Sequence, residues 1–167
     1  MRPLHATVRF ALESDANALA RLRWASRSAH EQAAEAQDAF APRFVHWLCR
    51  ALRSEEWQVV VAHASDGLIQ GCMYLRIVET VPVPGVPRRA WGYVTHAYVQ
   101  EQARGGGIGT ALLDALIQRS KTLRLHELQV WPSSAAVSLY ERAGFRSPEA
   151  QRAWGEEPSY VLPLLAQ

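Results

Sequence analysis

Three features of this sequence predict a mixed α/β (α+β) domain. Through the C-terminal half, segments with the 3.6-residue spacing of amphipathic helices alternate with short β-branched segments. A glycine-rich turn joins one of these strands directly to one of these helices. The length of 167 residues, with 49% hydrophobic and 20% charged side chains, suits a single packed core. No internal repeat, linker or low-complexity segment divides the chain, so residues 1–167 are read as one domain.

Thr7-Val8-Arg9-Phe10 is a strand candidate, and Ser14 is placed to cap a helix from Asp15 to about His30, in which Leu19, Leu22 and Arg23 share a face. A second helix is expected from about Asp38 to Arg53, with Pro42 near its first turn and Phe40, Phe44, Val45, Trp47, Leu48 and Leu52 as its apolar stripe. Trp57 to Ala62 and Leu68 to about Val78 read as a hairpin across the turn signal Ser65-Asp66-Gly67. The next segment, Thr80 to Pro87, carries three prolines, which excludes a central strand and predicts a surface loop. A strand resumes from Ala90 to Val99 and runs into the glycine turn. The helix that follows places Ile108, Leu112, Leu113, Leu116 and Ile117 on one buried face. Leu125 to Trp131 is a further strand and Pro132-Ser133-Ser134 a helix entry. Ala135 to Ala143 is a short helix with Gly144 as its left-handed cap, and Ser159 to Leu162 is the last strand.

Composition narrows the function. The formal net charge is +2, from 18 basic and 16 acidic residues, with no basic run dense enough to track a nucleic-acid backbone. The two cysteines, Cys49 and Cys72, lack CxxC spacing and read as small buried hydrophobes in a reducing compartment, and no metal is expected. Met1 to Arg9 lacks the apolar core of a secretory signal, and no later stretch is long enough to span a bilayer, so a cytoplasmic protein without membrane partners is expected.

The glycine turn is the strongest local signal. Gly105, Gly106, Gly107 and Gly109 leave backbone N–H groups unobstructed where a helix begins, and such donors, together with the helix dipole, suit a phosphate group. Arg104 adds a positive charge beside them. A P-loop requires Gly-Lys-Ser/Thr, whereas Gly109 is followed by Thr110 and Ala111; the dinucleotide fingerprint would put its third glycine on Thr110 or Leu112. Neither fits. A flexible turn with no ligand stays open on this segment alone.

Arg104, Gly107 and Gly109 match the pattern Arg/Gln-x-x-Gly-x-Gly/Ala, which resembles the coenzyme loop of the GCN5-related N-acetyltransferases. The preceding Gly92 to Val99 looks like that family's fourth strand, and Leu139-Tyr140-Glu141-Arg142-Ala143-Gly144-Phe145 looks like its Leu-Tyr-Glu-x-x-Gly-Phe helix end. The resemblance is strong from about Trp91 to Phe145; before Trp91 only the order of elements agrees. It implies a central twisted mixed sheet of about six or seven strands flanked by about four helices, and transfer of an acyl group from acetyl-CoA to a small-molecule or peptide amine, without a covalent enzyme intermediate. It also implies coenzyme contacts from Ala97, Tyr98, Val99, Arg104, Gly105, Gly106, Gly107, Ile108, Gly109, Thr110, Ser133 and Ser138; a homodimer is compatible with it. Many members carry asparagine where this chain has Ser133, which reads equally as a helix N-cap.

Further roles follow from the resemblance. Tyr140 matches the tyrosine that donates a proton to the coenzyme sulfur, with core packing as its alternative. The thioester oxygen is expected at a backbone N–H near Val99, where the fourth strand bulges and leaves the fifth. His96, expected by alternation on one face with Val94 and Tyr98, is a candidate base; Glu79 is a weaker one, and a water chain requires neither. Glu31, Glu35 and Asp38 are placed either to attract a cationic amine or to complement a helix dipole. A binding-only acyl-CoA module of the same fold stays open beside the enzyme.

Overall fold

Val59, Val60, Val61 and Ala62 are consecutive in one strand and all buried, although successive side chains of a strand point to opposite faces. Such a strand must be covered on both sides. The computed structural model, which describes residues 6–85, 89–147 and 159–164, supplies both covers. Six strands, β1 (Thr7–Phe10), β2 (Trp57–His63), β3 (Ile69–Glu79), β4 (Ala90–Val99), β5 (Glu127–Val130) and β6 (Tyr160–Pro163), form a sheet in sequence order. Neighbours are antiparallel except β4 and β5, so the sheet is mixed. Five helices pack around it: α1 (Ala16–Ala25), α2 (Ala29–Ala34), α3 (Gln37–Arg53), α4 (Ile108–Thr122) and α5 (Val137–Arg142).

Alternation sorts the core into two halves. Val59, Val61, Cys72 and Tyr74 face α1 and α3, meeting Leu19, Leu22, Phe44 and Leu48. Val60, Met73, Leu75 and Val94 face α4 and α5, meeting Leu112, Leu113, Leu116, Tyr140 and Phe145. Cys72 is a buried thiol whose pKa burial pushes up to about 12; Cys49 is half-buried and also free.

The sequence and structure differ most at the first helix. One helix from Asp15 to His30 is expected; the chain forms two, because Ser26 Oγ donates to the Arg23 carbonyl at 2.7 Å and Ser28 begins a new cap. Ser28 and Glu31 exchange hydrogen bonds between side chain and backbone, a capping box. Ser14 caps nothing and lies in a 3₁₀ turn. Asp15 is the N-cap of α1 but makes no side-chain cap bond; its carboxylate accepts from the Leu12 N–H at 2.8 Å and from Arg9 at 2.7 and 2.9 Å, and the Arg9 bonds hold its pKa below the usual carboxylate value. Pro42 falls inside α3 rather than in its first turn. Of the proline loop, Val86 and Pro87 lie outside the described residues.

Gly92 sits where β3, β4 and β5 converge, and a Cβ there would meet Leu128 Cδ2 at 2.5 Å and Leu75 Cδ1 at 2.6 Å. Both leucines are fully buried, so making room would displace their packed neighbours as well. Gly92→Ala should therefore lower the unfolding free energy by about 1–3 kcal/mol, the usual cost of overpacking a core, as measured by the urea midpoint at unchanged slope. An unshifted midpoint would show that the leucines yield.

Candidate functional site

Among the described residues β4 pairs with β5 at two positions, Gly92 with Leu128 and Tyr93 with Gln129, and past Tyr93 the two strands part. Toward β3 the register slips: Thr95 opposes Tyr74 and Tyr98 opposes Cys72, so His96 and Ala97 together face Met73. This is a β-bulge. His96 adopts φ 45, a left-handed conformation that costs a non-glycine residue about 1–3 kcal/mol.

The strands open onto a cleft of about 640 Å³. Of the expected coenzyme residues, Ala97, Tyr98, Val99, Arg104, Gly105, Gly107, Ile108, Gly109, Thr110 and Ser133 line it. Gly105 and Gly107 have φ of 80 and 82, and a Cβ on either would meet nothing within 4 Å. Glycine is required there for conformation, and the space beside the loop is open. Gly107 is the N-cap of α4 and offers no side chain, so the donors of the first turn carry no side-chain cap. Arg104 Nε donates to the Val99 carbonyl at 3.0 Å and ties the loop to the end of β4.

Two expected residues are absent from the lining, Gly106 and Ser138. Ser138 is exposed and lies about 100° around α5 from Leu139, which does line the cleft. Ser133 is exposed on the cleft and does not cap α5, whose N-cap is Ala136; the Ser133 carbonyl accepts from the Ala136 N–H at 2.8 Å. Sequence reasoning missed Met73, Ala103, Leu112, Ala135, Ala136, Leu139 and Arg142. Helical spacing carries a signal for four of these, since Ala135, Ala136, Leu139 and Arg142 are three and four residues apart on one face.

Tyr140 is buried at 2% exposure with its ring edge-on to Phe145 at 5.4 Å, and it does not itself line the cleft, although its neighbour Leu139 does. Burial pushes its pKa up to about 12, and Tyr93 adds to the shift. The phenol keeps its proton throughout the neutral range.

His96 departs from its expected orientation. The bulge breaks alternation, so Val94 faces α4 while His96 turns to the α1 side, with its ring 5.1 Å from that of Tyr74 and stacked on Tyr98 at 6.5 Å. Arg23 Nη1 lies 2.9 Å from His96 Nδ1; because a guanidinium only donates, Nδ1 accepts and the neutral ring carries its proton on Nε2. Burial first, then the charges of Arg23 and Arg27, lower its pKa to about 3. An imidazole titrating near neutrality is thus corrected to one that stays neutral.

Glu79 pairs with Ala90 at the far end of β4, about 20 Å along the strand from the bulge. Among the acidic residues between α1 and α3, Glu31 is bound by Arg27 and Ser28, and Glu35 by Arg43. Their charges are locally compensated.

The sequence matches the model of the Acetyltransferase (GNAT) domain over residues 28–154. The chain belongs to the GNAT acetyltransferase family. Solved structures share the fold of this GNAT domain. A predicted acetyltransferase with acetyl-CoA from Clostridium acetobutylicum aligns at TM-score 0.69 and 19% identity, over 86% of this chain and 92% of that one. A GNAT family N-acetyltransferase from Escherichia coli in complex with CoA aligns at TM-score 0.69 and 19% identity, over 97% and 83%. In sequence, the glucosamine 6-phosphate N-acetyltransferase of Trypanosoma brucei brucei is 30% identical over 92 residues, 55% of this chain. The alignments span 60% of that enzyme and 33% of a second curated relative. No helix among the described residues is long and apolar enough to cross a membrane.

The His96 assignment is open to direct measurement in this GNAT domain. Nitrogen-15 spectra of the imidazole should show the Nε2–H tautomer and no titration between pH 5 and 9, because a pKa lowered to about 3 leaves the neutral form populated throughout. A midpoint near 6–7 would overturn the Arg23 contact.

Proposed function

We propose that this chain is an acyl-CoA-dependent N-acyltransferase, moving acetyl from acetyl-CoA to a primary amine of a small molecule or peptide by direct attack. The observation that carries this is the cleft where β4 leaves β5, with the glycine start of α4 on its wall. The residues fit such a substrate: the space beside Gly105 and Gly107 is open, the first-turn donors of α4 have no side-chain cap, and Arg104 and Arg142 supply positive charge on the same walls. A backbone N–H near Val99 is the proposed donor to the thioester oxygen. Similarity to a glucosamine 6-phosphate N-acetyltransferase supports a small-molecule acceptor.

Acetyl-CoA supplies the activated acyl carbon and a thiolate leaving group. The neutral amine forms the new C–N bond as the C–S bond breaks, and Tyr140 Oη is the proposed source of the proton that reaches the sulfur. The raised pKa keeps the phenol protonated at neutral pH, and the phenolate left by donation takes its proton back from water before the next turnover. The amine's own proton leaves through water. His96 is assigned no part in that step: Nδ1 is engaged by Arg23, and the neutral tautomer that accepts there carries its hydrogen on Nε2. No metal is assigned a part. The burial of Tyr140 also favours a second reading, an acyl-CoA-binding module without catalysis, and the two differ in what removal of the hydroxyl does.

Gly107→Asp brings a side chain and a negative charge to the phosphate position, and acetyl-CoA affinity by calorimetry should fall about tenfold or more, equivalent to ~1.4 kcal/mol. Undiminished affinity in a folded variant would remove the loop from the site. Tyr140→Phe should lower turnover by about 10²-fold while coenzyme binding persists; a rate within a few-fold of wild type, with chemistry limiting, contradicts the acid role. With His96 neutral above its lowered pKa and Tyr140 protonated below its raised one, neither titrates between pH 6 and 9. The rising limb of kcat/KM should therefore follow the pKa of each amine supplied. A limb fixed near 6–7 for all amines would restore a side-chain base.

A further inference from the structure

Behind the cleft wall lies a polar cluster that the proposed chemistry leaves unused. Arg23 of α1 reaches His96 Nδ1 at 2.9 Å, and Tyr74 of β3 and Tyr98 of β4 pack against the same imidazole. Arg23 is half-buried, and no carboxylate lies within ion-pair distance of it among the described residues. The nearby Glu31 is held by Arg27 and Ser28. Two buried polar atoms of the cluster have no partner, His96 Nε2 and Tyr74 Oη.

Each unused group is a donor: the remaining guanidinium N–H groups, the Nε2–H and the phenolic O–H. Leaving such donors unpaired is unfavourable for stability, and an anionic hydrogen-bond acceptor would satisfy the guanidinium N–H groups that His96 leaves free. A carboxylate matches the planar guanidinium fork, and its single charge balances one arginine; a phosphate dianion would require a second free cation, and Arg27 is already paired. The cluster adjoins the reaction site, because Tyr98 both stacks on His96 and lines the cleft, and Ala97 is the next residue of the bulge.

We propose that Arg23, oriented by His96, receives a carboxylate of the acyl acceptor, so that the acceptor is an amino acid whose amine and carboxylate are a few bonds apart. This rests on the acyl-transfer reading and narrows its substrate class. Arg23 is then a specificity residue, and His96 a positioning residue that fixes the guanidinium. The same placement explains why burial first, then the charge of Arg27, lower the Arg23 pKa: Glu31, held by Arg27 and Ser28, acts on the guanidinium too weakly to offset them.

The test offers the protein each of the twenty common amino acids beside its own α-carboxamide, which keeps the amine and side chain and removes the carboxylate charge. O-phosphoethanolamine is included as a phosphate-bearing amine. Free thiol release from acetyl-CoA gives kcat/KM, and calorimetry in the presence of CoA gives acceptor affinity independently of turnover. At least one amino acid should exceed its carboxamide by about tenfold or more in kcat/KM, mainly through KM. Arg23→Gln should reduce that ratio to about twofold or less, and Arg23→Lys, which keeps the charge without the fork, should leave an intermediate ratio. If no acceptor turns over, the acyl-transfer reading fails by itself; carboxylate-dependent binding that is lost in Arg23→Gln would still support the site. The proposal is overturned if every amino acid stays within about threefold of its carboxamide in both assays, if O-phosphoethanolamine is preferred to all of them, or if Arg23→Gln keeps the wild-type ratio.

Discussion

The cleft exists because the parallel pairing of β4 with β5 stops after Tyr93. A parallel ladder carried further would close the sheet there and leave no entrance between the strands. Gly92, one residue before the pairing ends, allows the strands their close approach, since a Cβ there would meet Leu75 and Leu128. The bulge at His96 and Ala97 then gives β4 an extra residue against β3 just where it is free of β5. Strain and opening are therefore adjacent: backbone in an unfavourable region is tolerated where the packed strands on its N-terminal side leave it no alternative.

Burial acts on the titratable groups around this opening in one consistent way, by disfavouring charge. It lowers the His96 pKa and raises those of Tyr74, Cys72 and Tyr140. Each of these groups is consequently neutral at physiological pH, and none is a ready proton acceptor there. This supports a chemistry in which water takes the amine's proton and the protein supplies donors. Arg23 is the exception, a cation that stays charged despite half-burial because a guanidinium does not lose its proton in proteins.

Much of this was legible in the sequence, for reasons that differ by residue. The α4 face from Ile108 to Ile117 and the Gly144 cap follow from local rules, helical spacing and positive φ, and both stand in the structure: Gly144 adopts φ 95 and the Phe145 N–H reaches the Tyr140 carbonyl at 3.0 Å. The hairpin turn at Gly67 is of the same kind. The break between α1 and α2 was hidden because Ser26 and Ser28 act through hydrogen bonds that compete with helix continuation, while spacing still permits one helix. The turning of His96 was hidden more deeply. Two-residue alternation assumes an unbroken ladder, and a bulge is set by the partner strand rather than by the residues that bulge.

That same departure joins the two halves of the molecule. Counted from Val94 in regular alternation, His96 belongs on the face covered by α4 and α5, beside the glycine loop. The bulge instead delivers it to the face of α1 and α3, into contact with Arg23 and Tyr74. After the slip, Tyr98 pairs with Cys72 and again points to that second face, yet it also forms part of the cleft wall. One extra residue in β4 thus places a polar group from the α1 layer next to an opening built by the α4 layer, with no insertion or additional element. Since Arg23 of α1 precedes residue 28, where the match to the family model begins, a change at Arg23 can alter what meets the bulge while leaving the glycine loop and Tyr140 undisturbed. On the proposed function, acceptor choice and coenzyme binding are in this way assigned to opposite faces of one sheet, coupled at a single irregular residue.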